Sequence, residues 1–271
     1  GGSIIVNNNP LYMGVDPCCP GRFFNGQIDE VKLWNTTLTE AQIRDRMCRK
    51  ITSADPLYAN LAAYYNFDES TGSTAFDGSA NANNGSLVNG PTRVTSGAAI
   101  GNSSAHNYVT TGLPAANLSL NAQDNLGVAY TAGTFTGTAG THIYAVDEVP
   151  NTTNGIANAG TNDRYFGVFN ANLSSPSYTA TYNYNGNPFV TVGNEAKLGL
   201  FKRNDNAATV WSLTPANLDV NANTLTATGQ NTEYILGEIA SNQVLAPGSG
   251  NAISFDGVDD KISINHNAVF N

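Results

Sequence analysis

Short apolar runs recur between turn signals from residue 105 to residue 237, and no stretch of helical period there is long enough to compete with them. The runs fall at 142–146, 164–169, 178–184, 197–201, 209–213, 224–228 and 232–236. Strands at this spacing predict an antiparallel β-sandwich, because each half-buried strand must share its apolar face with an opposing sheet. Trp211 is the expected core anchor of this region. Tyr182 and Tyr184 share a face, since side chains alternate along a strand. Gly133, Gly137 and Gly140 stand among Thr and Ala and mark a hairpin loop, not a phosphate-binding loop.

The flanking segments read differently. Residues 1–56 suggest strand, loop, strand and a short helix. Ile28, Val31, Leu33 and Trp34 form a partly alternating apolar run. The helix is expected over 39–48, with Thr39 as N-cap and Gln42 placed to complete a capping box. Glu40 suits its positive end, and Leu38, Ile43 and Met47 would make its buried stripe. Asp55-Pro56 breaks the chain. A strand is expected over 61–67 and a turn-rich stretch over 77–85; Ser86-Leu-Val follows, before Asn89-Gly-Pro91 turns the chain again. Residues 238–250 read as a linker. Residues 251–271 open another strand, with Ile253, Phe255 and Val258 inward.

Only 12% of residues are charged and the net charge is −9, so Asn, Thr, Ser and Gly must coat the surface, as in extracellular β-proteins. Nucleic acid and anionic lipid are disfavoured as partners, because their binding rests on basic patches. No stretch approaches the roughly 20 apolar residues of a membrane helix, so the chain is not expected to be membrane-embedded. The cysteines are Cys18, Cys19 and Cys48. They are either three buried thiols or one disulfide joining Cys48 to Cys18 or Cys19. Adjacent cysteines rarely bond each other, because a disulfide favours Cα atoms about 5.5 Å apart. A bridge to Cys48 would close a loop of roughly 30 residues, contribute ~3 kcal/mol and imply an oxidising compartment. The pair's spacing is unlike that of a zinc site, and no His lies nearby.

Three motifs carry a resemblance. They are Phe24-Asn-Gly-Gln-Ile-Asp-Glu-Val-Lys-Leu-Trp34, Ala63-Tyr-Tyr-Asn-Phe-Asp-Glu69 and Phe255-Asp-Gly-Val-Asp-Asp260, supported by Arg164-Tyr-Phe-Gly-Val-Phe169 and Glu233-Tyr-Ile-Leu-Gly237. Together they resemble the repetitive surface adhesins of gliding Bacteroidetes, which chain laminin-G-like jelly rolls with immunoglobulin-like sandwiches. The resemblance implies an all-β chain: a central immunoglobulin-like β-sandwich at 105–237, flanked by parts of concanavalin A-like jelly rolls. Residues 1–101 would be the C-terminal part of one jelly roll, and 251–271 the first strand of the next. In such jelly rolls the Phe255 pattern comes first and the Phe24 pattern last, an order inverted here. The inversion suggests a slice of a longer repeat array, with 1–101 packed against neighbouring repeats of the same polypeptide or against adjacent chains. The alternative is that 251–271 folds back onto 1–101 as a permuted strand.

The resemblance also frames the candidate sites. Asp29-Glu30, Asp68-Glu69, Asp256 and Asp259-Asp260 could offer oxygens to calcium, which takes about 6–8 of them. The family's structural calcium would place Asp29 as the side-chain ligand. The acid pair of related glycosidases is absent, because Asp29 and Glu30 are adjacent and would point to opposite faces of a strand. His106, His142 and His266 are scattered, with no nucleophile motif beside them. Tyr178, Tyr182, Tyr184 and Phe189 could form a sugar-stacking platform, but core packing is the favoured reading. The expected function is therefore a non-catalytic segment of a secreted, repeat-containing surface adhesin, serving as spacer and contacting glycans or polysaccharide. The alternative is a carbohydrate-binding accessory region of a secreted polysaccharide-degrading enzyme.

Overall fold

The computed structural model describes residues 10–16, 18–19, 21–121, 124–158, 164–230 and 232–239. The strand expected over 251–271, with Asp256, Asp259, Asp260 and His266, lies outside the described residues, as does the linker beyond residue 239. The chain is all-β and divides into two compact units, one of residues 1–43 and 51–98, the other of residues 44–50 and 99–271. No helix among the described residues is long and apolar enough to cross a membrane.

In the first unit, β1 (Val31–Trp34) pairs antiparallel with β2 (Leu61–Tyr65), placing Val31 opposite Tyr65 and Leu33 opposite Ala63. Glu30, just before β1, has a left-handed backbone with φ 53°, so Asp29 and Glu30 do not lie on a strand as their adjacency suggested. Between the strands stands α1 (Glu40–Met47). Its capping box forms as expected: Thr39 N–H donates to Gln42 Oε1 at 2.8 Å, and Gln42 N–H to Thr39 Oγ1 at 3.3 Å. Such a cap is worth about 1 kcal/mol. The apolar stripe expected on α1 does not form, since Ile43 and Met47 are 49% and 40% exposed. The helix has only two turns, and what it turns inward is Arg46, followed by Cys48 just past its end.

Two small clusters hold this unit. One gathers Ile51, Leu61 and Tyr64 with Trp34 and Tyr58; the other gathers Ala63, Tyr65 and Ala75 with Val31, Phe67 and Leu87. β3 (Thr74–Ala75) and β4 (Gly85–Ser86) make a short hairpin-like pair. Its connecting turn is organised by Asp77, whose carboxylate accepts the N–H groups of Tyr64, Ser79 and Asn83, each at 2.8 Å. Burial alone would raise the Asp77 pKa, but these backbone donors hold it below the ordinary carboxylate value. Leu11, Tyr12, Phe23, Phe24, Phe76 and Val88 stay exposed.

The second unit is a two-sheet sandwich. Its strands are β5 (Ser103–Val109), β6 (Ala115–Asn121), β7 (Asp124–Thr134), β8 (Ala139–Val146), β9 (Tyr165–Ala171), β10 (Ser174–Tyr184), β11 (Leu198–Arg203), β12 (Ser212–Leu213), β13 (Ala216–Asp219), β14 (Thr224–Gly229) and β15 (Thr232–Glu238). One sheet runs β13-β14-β10-β7-β6 and the other β12-β11-β15-β9-β8-β5. The pairings within both sheets are antiparallel. Alternate residues meet between the sheets: Leu126, Val128, Tyr178, Ala180, Tyr182, Tyr184 and Leu225 from the first, and Ile143, Phe166, Val168, Leu198, Leu200, Tyr234 and Leu236 from the second. The outer face of the second sheet is covered as well, by a cluster of Cys48, Tyr144, Val146, Tyr165, Phe201, Trp211 and Ile235. Burial on both faces explains why β8 carries no exposed residue.

Trp211 is buried at 1% exposure, but it anchors this outer cluster, not the layer between the sheets. Its Nε1–H donates to the Thr152 carbonyl at 2.7 Å, and its own N–H to the Asn154 carbonyl at 2.8 Å. Those bonds to a loop shorten the run expected at 209–213 to the two residues of β12. Gly155 sits beneath the same residue with φ +91°, where a Cβ would overlap the Trp211 carbonyl.

Candidate functional site

A cleft of about 570 Å³ opens in the sandwich unit where the end of β11, the segment leading into β12 and the β14–β15 turn come together. Its walls present hydroxyls from Ser177, Ser212, Thr228 and Thr232, amides from Asn204 and Gln230, and the cations Lys202 and Arg203. No carboxylate, imidazole or thiol is among the described residues lining it. Such a wall hydrogen-bonds polar ligands but offers no paired acid and base for bond cleavage.

Beneath it lies a buried ionic network. Arg203 Nε donates to Glu233 Oε2 at 2.6 Å, and both side chains are essentially fully buried. The other guanidinium nitrogens donate to Asn151 Oδ1 and to Asn206 Oδ1, the latter at 2.8 Å. The guanidinium carbon also lies 4.3 Å from the Trp211 ring centroid. Tyr144 hydroxyl donates to Glu233 Oε1 at 2.8 Å. Burial nevertheless pushes the Glu233 pKa above the ordinary carboxylate value, outweighing the pull of Arg203. Arg203 is thus committed to holding the strand end, and among the described residues lining the cleft Lys202 is the cation left to meet a ligand. A second buried acid is tied up in the same way. Asp124 accepts Arg164 Nη1 at 2.7 Å, Tyr182 hydroxyl at 2.8 Å and Asn187 Nδ2 at 3.4 Å.

Two of the histidines, far apart in sequence, are brought together by strand register, because His106 on β5 pairs with His142 on β8. Their rings stack at 5.2 Å, and Tyr108 hydroxyl lies 2.8 Å from His142 Nε2. Arg44 covers the Tyr108 ring at 3.7 Å, and His106 Nδ1 lies 3.8 Å from Asp45. His142 is fully buried, and its Nδ1 has no hydrogen-bond partner among the described residues. Burial, then the positive charges of His106 and Arg44, lower its pKa from 6.5 to about 4. Between those values the unfolded chain binds the proton and the folded one does not. The stability that His142 contributes is therefore complete above pH 6.5 and is lost as pH falls through this window. A loss on the order of 2 kcal/mol is expected on acidification to about pH 4. Urea unfolding of wild type and His142→Gln across this range checks it, since the variant should lose much of the slope.

The other residues singled out by sequence are placed as follows. Tyr178, Tyr182, Tyr184 and Phe189 are buried in the layer between the sheets, so they form core and no exposed platform. Asp29 Oδ1 accepts the Glu30 N–H at 2.9 Å. Glu30 accepts the Tyr64 hydroxyl and pairs with Lys32 at 2.7 Å. Glu69 pairs with Arg93 at 2.6 Å. Asp29 joins no cluster of three metal-ligating side chains among the described residues, so calcium there would draw most of its 6–8 oxygens from backbone and water. The one such cluster joins Asp16, Cys18 and Cys19, a sulfur-containing set suited to softer metals than calcium. Cys48 is 2% exposed, within the outer cluster of the sandwich unit. The cleft itself had no sequence signal, because its described walls come from Ser177, from positions between 202 and 212, and from Thr228, Gly229, Gln230 and Thr232.

A family model described as the Concanavalin A-like lectin/glucanases superfamily matches residues 1–44. The matched stretch holds the 24–34 motif, Cys18, Cys19 and Asp29, and ends before β2. No curated protein and no solved structure matches the chain.

Proposed function

We propose that this chain is a non-catalytic segment of a secreted, repeat-built surface adhesin, in which the sandwich is a rigid spacer and its cleft a contact site for glycans. The observation that carries the reading is the composition of the cleft: hydroxyls, amides and Lys202, with no carboxylate lining it among the described residues. Polyhydroxylated ligands are recognised by such groups, and the buried acids Asp124 and Glu233 are held by Arg164 and Arg203. The low surface charge and the concanavalin A-like match over residues 1–44 fit a secreted, modular protein. In this reading the unit of residues 1–43 and 51–98 is part of a jelly roll completed by a neighbouring repeat. The exposed Leu11, Tyr12, Phe23 and Phe24 support it, as apolar side chains that a neighbour would cover. A structural calcium at Asp29 belongs to the same proposal. An accessory carbohydrate-binding role in a polysaccharide-degrading enzyme rests on the same cleft, and a catalytic domain in the same polypeptide would favour it.

The test is retention on a panel of immobilised neutral and acidic polysaccharides. The wild-type chain should be retained by at least one member, and Lys202→Ala with Gln230→Ala should weaken that retention about tenfold, the loss of roughly one charged hydrogen bond. Retention on no member, or retention untouched by the two substitutions, would remove the cleft from the account.

A further inference from the structure

The loop before β1 closes on itself. Val15 bridges Phe23 antiparallel, Phe24 N–H donates to the Gly14 carbonyl at 2.9 Å, and Asp16 N–H donates to the Arg22 carbonyl at 3.0 Å. At the tip, Cys19 N–H donates to the Asp16 carbonyl and Arg22 N–H to the Cys19 carbonyl, both at 3.3 Å. Asp16 Oδ1 accepts the Cys18 N–H at 3.1 Å. These bonds turn two neighbouring side chains to the same side and bring their sulfurs to 2.7 Å. That separation is far inside ordinary sulfur contact and short of the ~2.05 Å of a bond. Cys18 is exposed and Cys19 half-buried, so a solute reaches both.

We propose that Cys18 and Cys19 are a vicinal dithiol that closes to a disulfide within the loop tip, a redox-sensitive clasp. The co-reactant is a small-molecule disulfide of the glutathione class. The thiolate of one cysteine attacks it, forming a mixed disulfide and releasing one small thiol. The neighbouring thiolate then displaces the second small thiol and closes the ring. Two protein S–H bonds are lost and one S–S bond forms, while the oxidant's S–S bond is reduced to two thiols. The adjacency that disfavours such a bond in an open chain is answered here by the loop's own hydrogen bonds. The small ring it makes is strained, which places it among readily reduced, labile disulfides. Cys48, buried in the outer cluster of the other unit, keeps its thiol in this scheme and does not bridge to Cys18 or Cys19.

The full chain is incubated with glutathione disulfide, unfolded, alkylated and digested, and its peptides are weighed. The peptide holding both Cys18 and Cys19 should appear unalkylated and two hydrogens lighter than its dithiol form, with Cys48 alkylated. Dithiothreitol should restore both alkylation sites. Cys18→Ser should leave Cys19 carrying glutathione, and Cys48→Ser should change nothing at the pair. A peptide bridging Cys48 to either neighbour, or alkylation of both Cys18 and Cys19 after oxidation, would overturn the proposal.

Discussion

Replacing Arg203 with Met is expected to lower the stability of the sandwich unit by about 3–5 kcal/mol, because it leaves a buried carboxylate without its cation. Glu233 and Tyr144 keep their places after the change, but the 2.6 Å ion pair and the bonds to Asn151 and Asn206 are gone. The folded carboxyl, already raised by burial, rises further. A carboxyl whose folded pKa lies above its unfolded value loses stability as pH rises, so the deficit of Arg203→Met should grow from about pH 5 to about pH 8. Burial prevails over pairing at Glu233 even in the intact network. The double variant Arg203→Met with Glu233→Leu should therefore recover most of the loss, to within about 1–2 kcal/mol of wild type. Urea unfolding of the two single variants and the double closes the cycle. A double variant as unstable as the worse single variant would show that the network stabilises through its hydrogen bonds to Asn151, Asn206 and Tyr144, not through its charges.

The second large effect is expected at Trp211. Its ring meets Tyr165 edge-on at 5.9 Å, supports the Arg203 guanidinium and pins the Thr152 carbonyl. Trp211→Ala removes the largest fully buried side chain of the outer cluster and should cost about 3–5 kcal/mol. Trp211→Phe keeps much of the apolar contact and loses the indole donor, for an expected cost of about 1–2 kcal/mol. Because Arg203 lies on the Trp211 ring, the two losses should fall short of additivity when combined. Denaturation midpoints of the variants decide this. A Trp211→Ala protein as stable as wild type would mean that the cover on the outer face contributes little, and that the layer between the sheets carries the unit alone.

Legibility in the sequence followed the contrast of each strand. β10 was plain because Tyr178, Tyr182 and Tyr184 alternate with polar residues, and all three point between the sheets. β7 was not expected, although its Leu126, Val128 and Tyr130 alternate inward, and neither were β5, β6 and β13. The last three are built from residues such as Ser103, Ser104, Asn107, Asn117 and Asn217, whose strand state is imposed by pairing with β8, β7 and β14 and not by local preference. The capping box of Thr39 and Gln42 was legible because it is local, whereas the apolar stripe on the same helix failed because Cys48 and Arg46 set its inward side. The cleft and the His106–His142 pair were illegible for one reason: each depends on residues made neighbours by the sheets alone. The closeness of Cys18 and Cys19 sulfurs ran against a general rule about adjacent cysteines. Its cause is the hydrogen bonding of Asp16 and Arg22 around the tip, which spacing does not encode.

We propose that the cleft holds glycans and does not cut them. The most direct measurement incubates the chain with polysaccharides that retain it and follows two quantities together, the bound fraction and the appearance of new reducing ends. Binding that weakens in Lys202→Ala, with reducing ends no higher than in a protein-free control, is the expected result. New reducing ends released by the wild-type chain would contradict it.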